Sequence, residues 1–517
     1  MLQRLSLILI ATRLFGCAQD EPQSSGASRD ASARDLTAAP DLAGLDPPVP
    51  ITIDGAKSLS GYFDLAEGFT SDNFIIATEK GRGKVAVSLD AVSAELVSGR
   101  IRDGYVRGRA ALEWSRSLNP QYANDMYIWT EATKLVAIAT SSVLNIGEAS
   151  ADGAFVFFTD NATSSEETGD ILVARTDGTG RYSVGLQVPL ATPCVPVGKF
   201  IGHRLFVNYC VTNVDAGITD RTVVMVDLDS QEVRVLKSNA AAAPFSVDDA
   251  AALVLVADTA GYGWLVSTTG GADKKVDANV VDGWIEPSGS AVVIATASGS
   301  IRRVNTSGDM TPYVLVERGG NFLLLNRVRS ILFPAVSDDR AWTLYSQRRD
   351  IALGENDPEL WLSDLFLTST VPPNSKMTLS ASTDASIIGA AFTSDSTHVL
   401  YRTQSERPSP SPANLLVGVF QSMSVMGGPP VVHGTRVSVW QAAQGSKVVF
   451  CNNYRYEPLG PPLGRCDLYW VDTDGQQAPH PIAPRVEANV YVTPDKKRVV
   501  FSVTRDPDAG IFAFSLP

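Results

Sequence analysis

The chain predicts an all-β fold, a β-propeller of four-stranded antiparallel blades, and three observations predict it. A short phrase of residues recurs at intervals of roughly 40 to 50 residues, the spacing of a repeat array. Each copy contains an apolar run of strand length bounded by turn residues. The composition agrees, with 41 Gly, 30 Pro and only 19% charged residues in 517, which suits many short strands joined by turns. No long amphipathic helical run interrupts the pattern.

The clearest copy opens on the turn Ser150-Ala151-Asp152-Gly153, continues through Phe155-Val156-Phe157-Phe158-Thr159, and resumes with Asp170-Ile171-Leu172-Val173 before the turn Thr176-Asp177-Gly178. The apolar run occurs ten times: Asn73 to Thr78, Ala110 to Ser115, Ala154 to Thr159, Arg204 to Cys210, Ala252 to Ala257, Ala291 to Thr296, Ala341 to Ser346, His398 to Thr403, Lys447 to Cys451 and Arg498 to Val503. These runs read as the inner strands of their units. Partner strands follow with an acidic opener, as in Asp125-Met126-Tyr127-Ile128, Glu359-Leu360-Trp361-Leu362 and Asp467-Leu468-Tyr469-Trp470. Runs apolar on both sides of the strand belong to sheets covered on both faces, as in stacked blades. Ten units exceed the usual four to eight, so the expectation is eight to ten blades in one body spanning residues 50–517. The last unit stops at Pro517 after its third strand, Gly510-Ile511-Phe512-Ala513-Phe514. The segment Pro50-Ile51-Thr52-Ile53-Asp54-Gly55 is expected to supply the fourth and close the ring, since an open array leaves an exposed edge.

The N-terminus carries a second signal. Arg4 precedes the apolar run Leu5 to Ala11, too short to span a bilayer and the right size for a secretory core. Leu14-Phe15-Gly16-Cys17 follows and resembles the lipobox of bacterial lipoproteins, although Phe15 is bulkier than that pattern usually carries and Arg13 charges the end of the apolar run. The resemblance implies cleavage after residue 16 and lipidation of Cys17, so that residues 1–17 form the signal and its lipidated Cys. Ala18 in the next position, rather than Asp, points to the outer membrane. Residues 18–49 lack aromatic side chains and have too little apolar surface to offset the entropy of ordering, which predicts a disordered tether.

The ten units resemble the WD40-like repeats of TolB-type propellers, best at residues 150 to 178 and 494 to 514. That family carries an α/β domain before its propeller, and residues 18–49 are too few and too polar to form one. The blade pattern is therefore what the resemblance implies; the Tol-system role is not.

Five cysteines fit an exported chain. Lipidation of Cys17 leaves four, which allow three pairings. Local pairing of Cys194 with Cys210 and of Cys451 with Cys466 is expected, because each couple brackets one loop or hairpin. Such bonds persist in an oxidising compartment.

The formal charge of −13 excludes sequence-independent binding to nucleic acid, which needs basic patches. The sequence contains no Gly-x-Ser-x-Gly elbow, His-Glu-x-x-His, Cys-x-x-Cys or P-loop, so no catalytic, cofactor-binding or metal-binding residue is assigned. His203, His398, His433 and His480 lie far apart, and the first two sit at strand openings as turn residues do. The loop Asn452 to Arg465 stands out: Tyr454, Arg455 and Tyr456 are residue types that dominate binding hot spots, above a disulfide at the base. The Pro-rich stretch Arg407 to Pro412 reads as an extended connector. The resulting expectation is a lipid-anchored, non-enzymatic binding or scaffolding protein of the cell envelope, with envelope proteins or glycans as partners and the membrane touched only through the lipid. The alternative is an envelope hydrolase or lyase for a glycan or lactone, with carboxylates gathered in the central channel.

Overall fold

The computed structural model describes residues 57–517, apart from internal stretches that include 117–123, 323–334, 353–360, 381–389, 407–416 and 456–463. Cys17, the 18–49 tether and the expected closing segment Pro50 to Gly55 lie outside the described residues. The described secondary structure is entirely β, in nine antiparallel sheets: seven of four strands, one of five and one of seven. The seven-stranded sheet is two units. Its long strand Val233–Val247 pairs with Ile218–Asp227 through residues 233–240 and with Leu253–Asp258 at residue 240 and through 245–247. It is thus the fourth strand of one blade and the first of the next. The five-stranded sheet is one unit whose strand Trp342–Ala352 takes two short neighbours, Gly320–Phe322 and Ala335–Val336. Ten blades follow, numbered here in chain order: 63–98, 101–142, 147–189, 197–240, 245–277, 280–316, 320–380, 390–437, 440–487 and 490–515.

All ten predicted apolar runs fall on the second strand of a blade, including Ala110–Arg116 and Leu253–Asp258. They are inner strands of their sheets, paired on both sides, as expected. The innermost position belongs to short first strands such as Gly147–Ala149, Trp440–Ala442 and Val490–Val492. These pair on one side only and approach the first strand of the next blade: Gln441 donates to the Val490 carbonyl at 2.6 Å and accepts from the Val492 amide at 2.9 Å.

Alternation along a second strand explains why it must be apolar throughout. Val156 and Phe158 enter the cluster shared with blade 2, whereas Phe155 and Phe157 enter the one shared with blade 4. Ten such clusters fill the ten gaps between consecutive blades. One of them joins Ile75, Ala77, Val85 and Val87 of blade 1 to Val500, Ile511 and Ala513 of blade 10, so the array is a closed ring. A polar latch crosses the same gap. Arg498 Nη1 reaches Asp90 Oδ1 at 2.8 Å, and the Asp495 amide donates to Asp72 Oδ1 at 2.8 Å. The fourth strand of blade 10 does come from the N-terminal side, but as Lys57–Ser60, which pairs antiparallel with Gly510–Ser515.

Buried charge also crosses between blades. Lys84 Nζ of blade 1 sits 2.7 Å from Glu113 Oε2 of blade 2, both buried. Gly104 lies against the pair so closely that a Cβ there would stand 1.9 Å from Glu113 Oε2.

Candidate functional site: the loop face and the hub

The up-and-down path of each blade gives the ring two unlike faces. Turns between first and second strands and between third and fourth strands lie on one, the turn face. Connections between second and third strands, and the crossovers to the next blade, lie on the other, the loop face.

The recurring turn phrase builds the turn face. In blade 3 the Ser150 hydroxyl donates to Asp152 Oδ1 at 2.6 Å and accepts from the Phe155 amide at 2.9 Å, while the Ala154 amide donates to Asp152 Oδ1 at 3.0 Å. Thr393, Asp395 and His398 repeat this in blade 8 at 2.6 and 3.0 Å, as do Thr493, Asp495 and Arg498 in blade 10. A threonine on the next turn ties the two turns together: Thr176 to the Gly153 carbonyl at 2.8 Å, Thr268 to Ala251 at 2.7 Å and Thr306 to Gly289 at 2.6 Å. Partial burial pushes the Asp152 carboxyl up, but the donated hydrogen bonds outweigh it and hold the group below the usual carboxylate range; Asp395 and Asp495 follow the same balance. These aspartates are turn-builders.

The acidic opener of the third strand is structural too. Asp170 accepts from Asn161 Nδ2 at 2.7 Å and from the Gln187 amide at 2.9 Å. Asp467 takes the same two positions on Asn453 and Arg485 at 3.2 and 3.4 Å. Asn161, Gln187, Asn453 and Arg485 all have φ between 50° and 55°, so the carboxylate steadies irregular backbone at the strand ends facing the loops.

Both disulfides stand on the loop face. Cys194, in the crossover into blade 4, is bonded to Cys210 on the strand Arg204–Asn213, with Cα atoms 5.3 Å apart. Arg221 grips this corner: it donates to Asn208 Oδ1 at 3.0 Å, to the Val195 carbonyl at 3.1 Å and to the Pro193 carbonyl. Val195 and Val211, each beside a bonded cysteine, remain 37% and 42% exposed. Cys451 is bonded to Cys466 across the second and third strands of blade 9, also at 5.3 Å. Its strand does not end there but runs on to Arg455.

That extension corrects one expected binding residue. Tyr454 is fully buried, and its hydroxyl would lie 2.4 Å from a Cβ at Gly464, whose φ is +68°. Its ring packs the hairpin base and presents nothing to a partner. Arg455 is exposed at the strand end, and Tyr456 lies outside the described residues. Arg436 of blade 8, also exposed, donates to the Tyr454 carbonyl at 3.3 Å.

The hub holds charges that sequence order does not reveal. Arg107 Nε of blade 2 lies 3.5 Å from Glu148 Oε2 of blade 3, and the guanidinium stacks 4.2 Å from the Tyr105 ring. Burial pushes the Glu148 carboxyl up to about 7 against the pull of Arg107. Lys199 donates to the Val247 carbonyl at 3.2 Å, and burial pushes it down to about 8. Burial also raises Asp282. Glu148 is paired with an arginine, not a second carboxylate. No group of three or more His, Cys, Asp or Glu suited to a metal ion occurs among the described residues. The four histidines are dispersed: His203 pairs with Asp229 at 3.0 Å, His398 contacts Thr397 at 2.9 Å, buried His433 contacts Ser422 at 2.7 Å, and His480 stacks on Trp470 at 4.4 Å.

No family model and no curated protein matches the chain. Solved structures resemble it in fold at low identity. The tricorn protease matches at 12% identity over 89% of this chain with a TM-score of 0.27, and the chain spans about half (53%) of that protein's length. An oligogalacturonate lyase in complex with manganese matches at 11% over 89% of this chain and 98% of that one, with a TM-score of 0.32. A putative TolB from Agrobacterium tumefaciens matches at 14% over 57% of this chain and 98% of that one, with a TM-score of 0.24.

Proposed function

We propose that the chain is a lipid-anchored, non-enzymatic scaffold of the cell envelope that binds envelope proteins or glycans through its loop face. The observation that carries this reading is the asymmetry between the faces. Near-identical hydrogen-bonded turns recur on one in blades 3, 8 and 10, whereas the other carries both disulfides with Arg455, Val195 and Val211 beside them. Rigid, stapled contact groups lose little entropy on binding, which favours recognition. The anchor rests on the Leu14-Phe15-Gly16-Cys17 sequence. Fractionation of cells expressing the wild type or Cys17→Ser tests it: the wild type is expected with the membranes and the variant in the soluble fraction. A variant that stays membrane-bound overturns the anchor.

A second reading, an envelope hydrolase or lyase, is favoured by one observation. Glu148 sits at the hub with a carboxyl near 7, the range of a general acid or base. Incubation with a glycan library tests it, with Glu148→Gln expected to abolish any cleavage. Cleavage by the wild type that is lost in this variant replaces the scaffold reading.

A further inference from the structure

The two disulfides occupy blades 4 and 9. In a closed ring of ten, these blades are five steps apart in either direction, so the stapled corners stand opposite one another across the hub and on the same face. We infer that the loop face docks one protein partner that bridges the hub and touches both stapled corners at once. This deepens the scaffold reading and rests on it.

Each corner offers a different chemistry. At blade 4, Val195 and Val211 flank the bonded cysteines and stay partly exposed, while Arg221 fixes the backbone beneath them through the Pro193 and Val195 carbonyls. Apolar side chains held rigidly at a surface are suited to packing against an apolar patch. At blade 9, Arg455 is exposed at the strand end, and Arg436 holds the Tyr454 carbonyl beside it, with buried Tyr454 as the footing. The exposed Arg455 guanidinium, on a chain of net charge −13, is complementary to a carboxylate and gives register as well as attraction. The occupant is therefore a protein presenting an apolar patch to blade 4 and an acidic segment to blade 9. Two linked contacts raise apparent affinity by about 100-fold or more over one, so a lesion at either corner weakens the whole attachment.

The test uses the full-length protein in its own envelope, with a photoreactive phenylalanine analogue in place of Val211 or of Thr435, exposed beside the Arg436 that holds the Tyr454 carbonyl, on the loop face, or of Asp177 or Asp309 on the turn face. The expected result is one adduct of the same partner from both loop-face positions. The Thr435 probe should lose at least 10-fold of its yield when Val211→Asp is added, and the Val211 probe should lose as much with Arg455→Glu but not with Arg455→Lys. Melting curves check that these surface variants fold. Adducts from one corner only, or from two corners with different partners, overturn the bridging inference and leave the scaffold reading standing. Adducts from the turn face alone also overturn it. An absence of adducts at all four positions overturns both.

Discussion

The turn face and the loop face are made from the same ten blades, yet they are built in opposite ways. On the turn face one device is repeated: a hydroxyl, an aspartate two residues on and a backbone amide, with distances that agree to about 0.1 Å between blades 3, 8 and 10. On the loop face Asp170 and Asp467 share one device, but among the described residues the other supports differ, and covalent bonds appear at blade 4 and blade 9. Repetition serves the frame, since each blade must cover its neighbours in the same way. Individual construction marks the surface free to specialise. Where charge is held differs in the same sense: turn aspartates are stabilised as anions by donated hydrogen bonds, whereas Glu148 at the hub is disfavoured as an anion by burial.

The frame that both faces share should give the largest effect. Phe157, buried between blades 3 and 4, is expected to cost about 3–5 kcal/mol when changed to alanine, read as a fall in the urea midpoint. A loss under about 1 kcal/mol would mean that the gap between blades is not filled as described. Next comes the loop face. Replacing Cys451 and Cys466 together with serine opens a loop of sequence separation 15 and is expected to cost about 3 kcal/mol in the chain-entropy model. Faster proteolysis should appear near residues 456–463. Equal protection in the double variant would remove the staple from the account.

Single lesions on the turn face should be smaller and alike. Ser150→Ala, Thr393→Ala and Thr493→Ala are each expected to cost about 1 kcal/mol, and their effects should add because the three turns share no partners. Strong non-additivity would contradict a frame of independent copies. Lys496, which occupies φ +64° where Gly153 stands in blade 3, should gain a few tenths to 1 kcal/mol as Lys496→Gly.

The faces and the hub should also separate by pH. Asp152, Asp395 and Asp495 have folded pKa values below the unfolded one, so their stabilisation is present above the unfolded pKa and is lost as pH falls through the folded values. Glu148 has the opposite sign. Its carboxyl rises from 4.5 to about 7, so its contribution is full below the unfolded pKa and is lost as pH rises through 7. Glu148→Gln should therefore gain stability relative to the wild type between pH 5 and pH 8, measured by urea unfolding at both.

Much of the frame is legible in the sequence because its signal is local. A second strand covered on both faces must be apolar at every position, which is why even the weak runs at Ala110 and Ala252 mark true blades. The turn phrase is likewise readable because its three hydrogen-bonding groups lie within six residues. What depends on register or on distant neighbours is not. The alternating apolar residues Ile51 and Ile53 suggest a closing strand, but the strand that pairs with Gly510–Ser515 is the more polar Lys57–Ser60. Tyr454 has the residue type of a contact and the burial of a core side chain, a difference set by Gly464 folding over it. At the hub, Arg107 and Glu148 are 41 residues apart in sequence and meet only because consecutive first strands converge.

Blade count is the central claim, since it fixes the closure of the ring and sets the two stapled corners opposite each other. Face-on electron cryomicroscopy projections of the purified protein test it most directly. Ten blades are expected in an unbroken ring, with blade 10 against blade 1. Seven or eight blades, or a gap between the first and last, would contradict both the closure and the opposed corners.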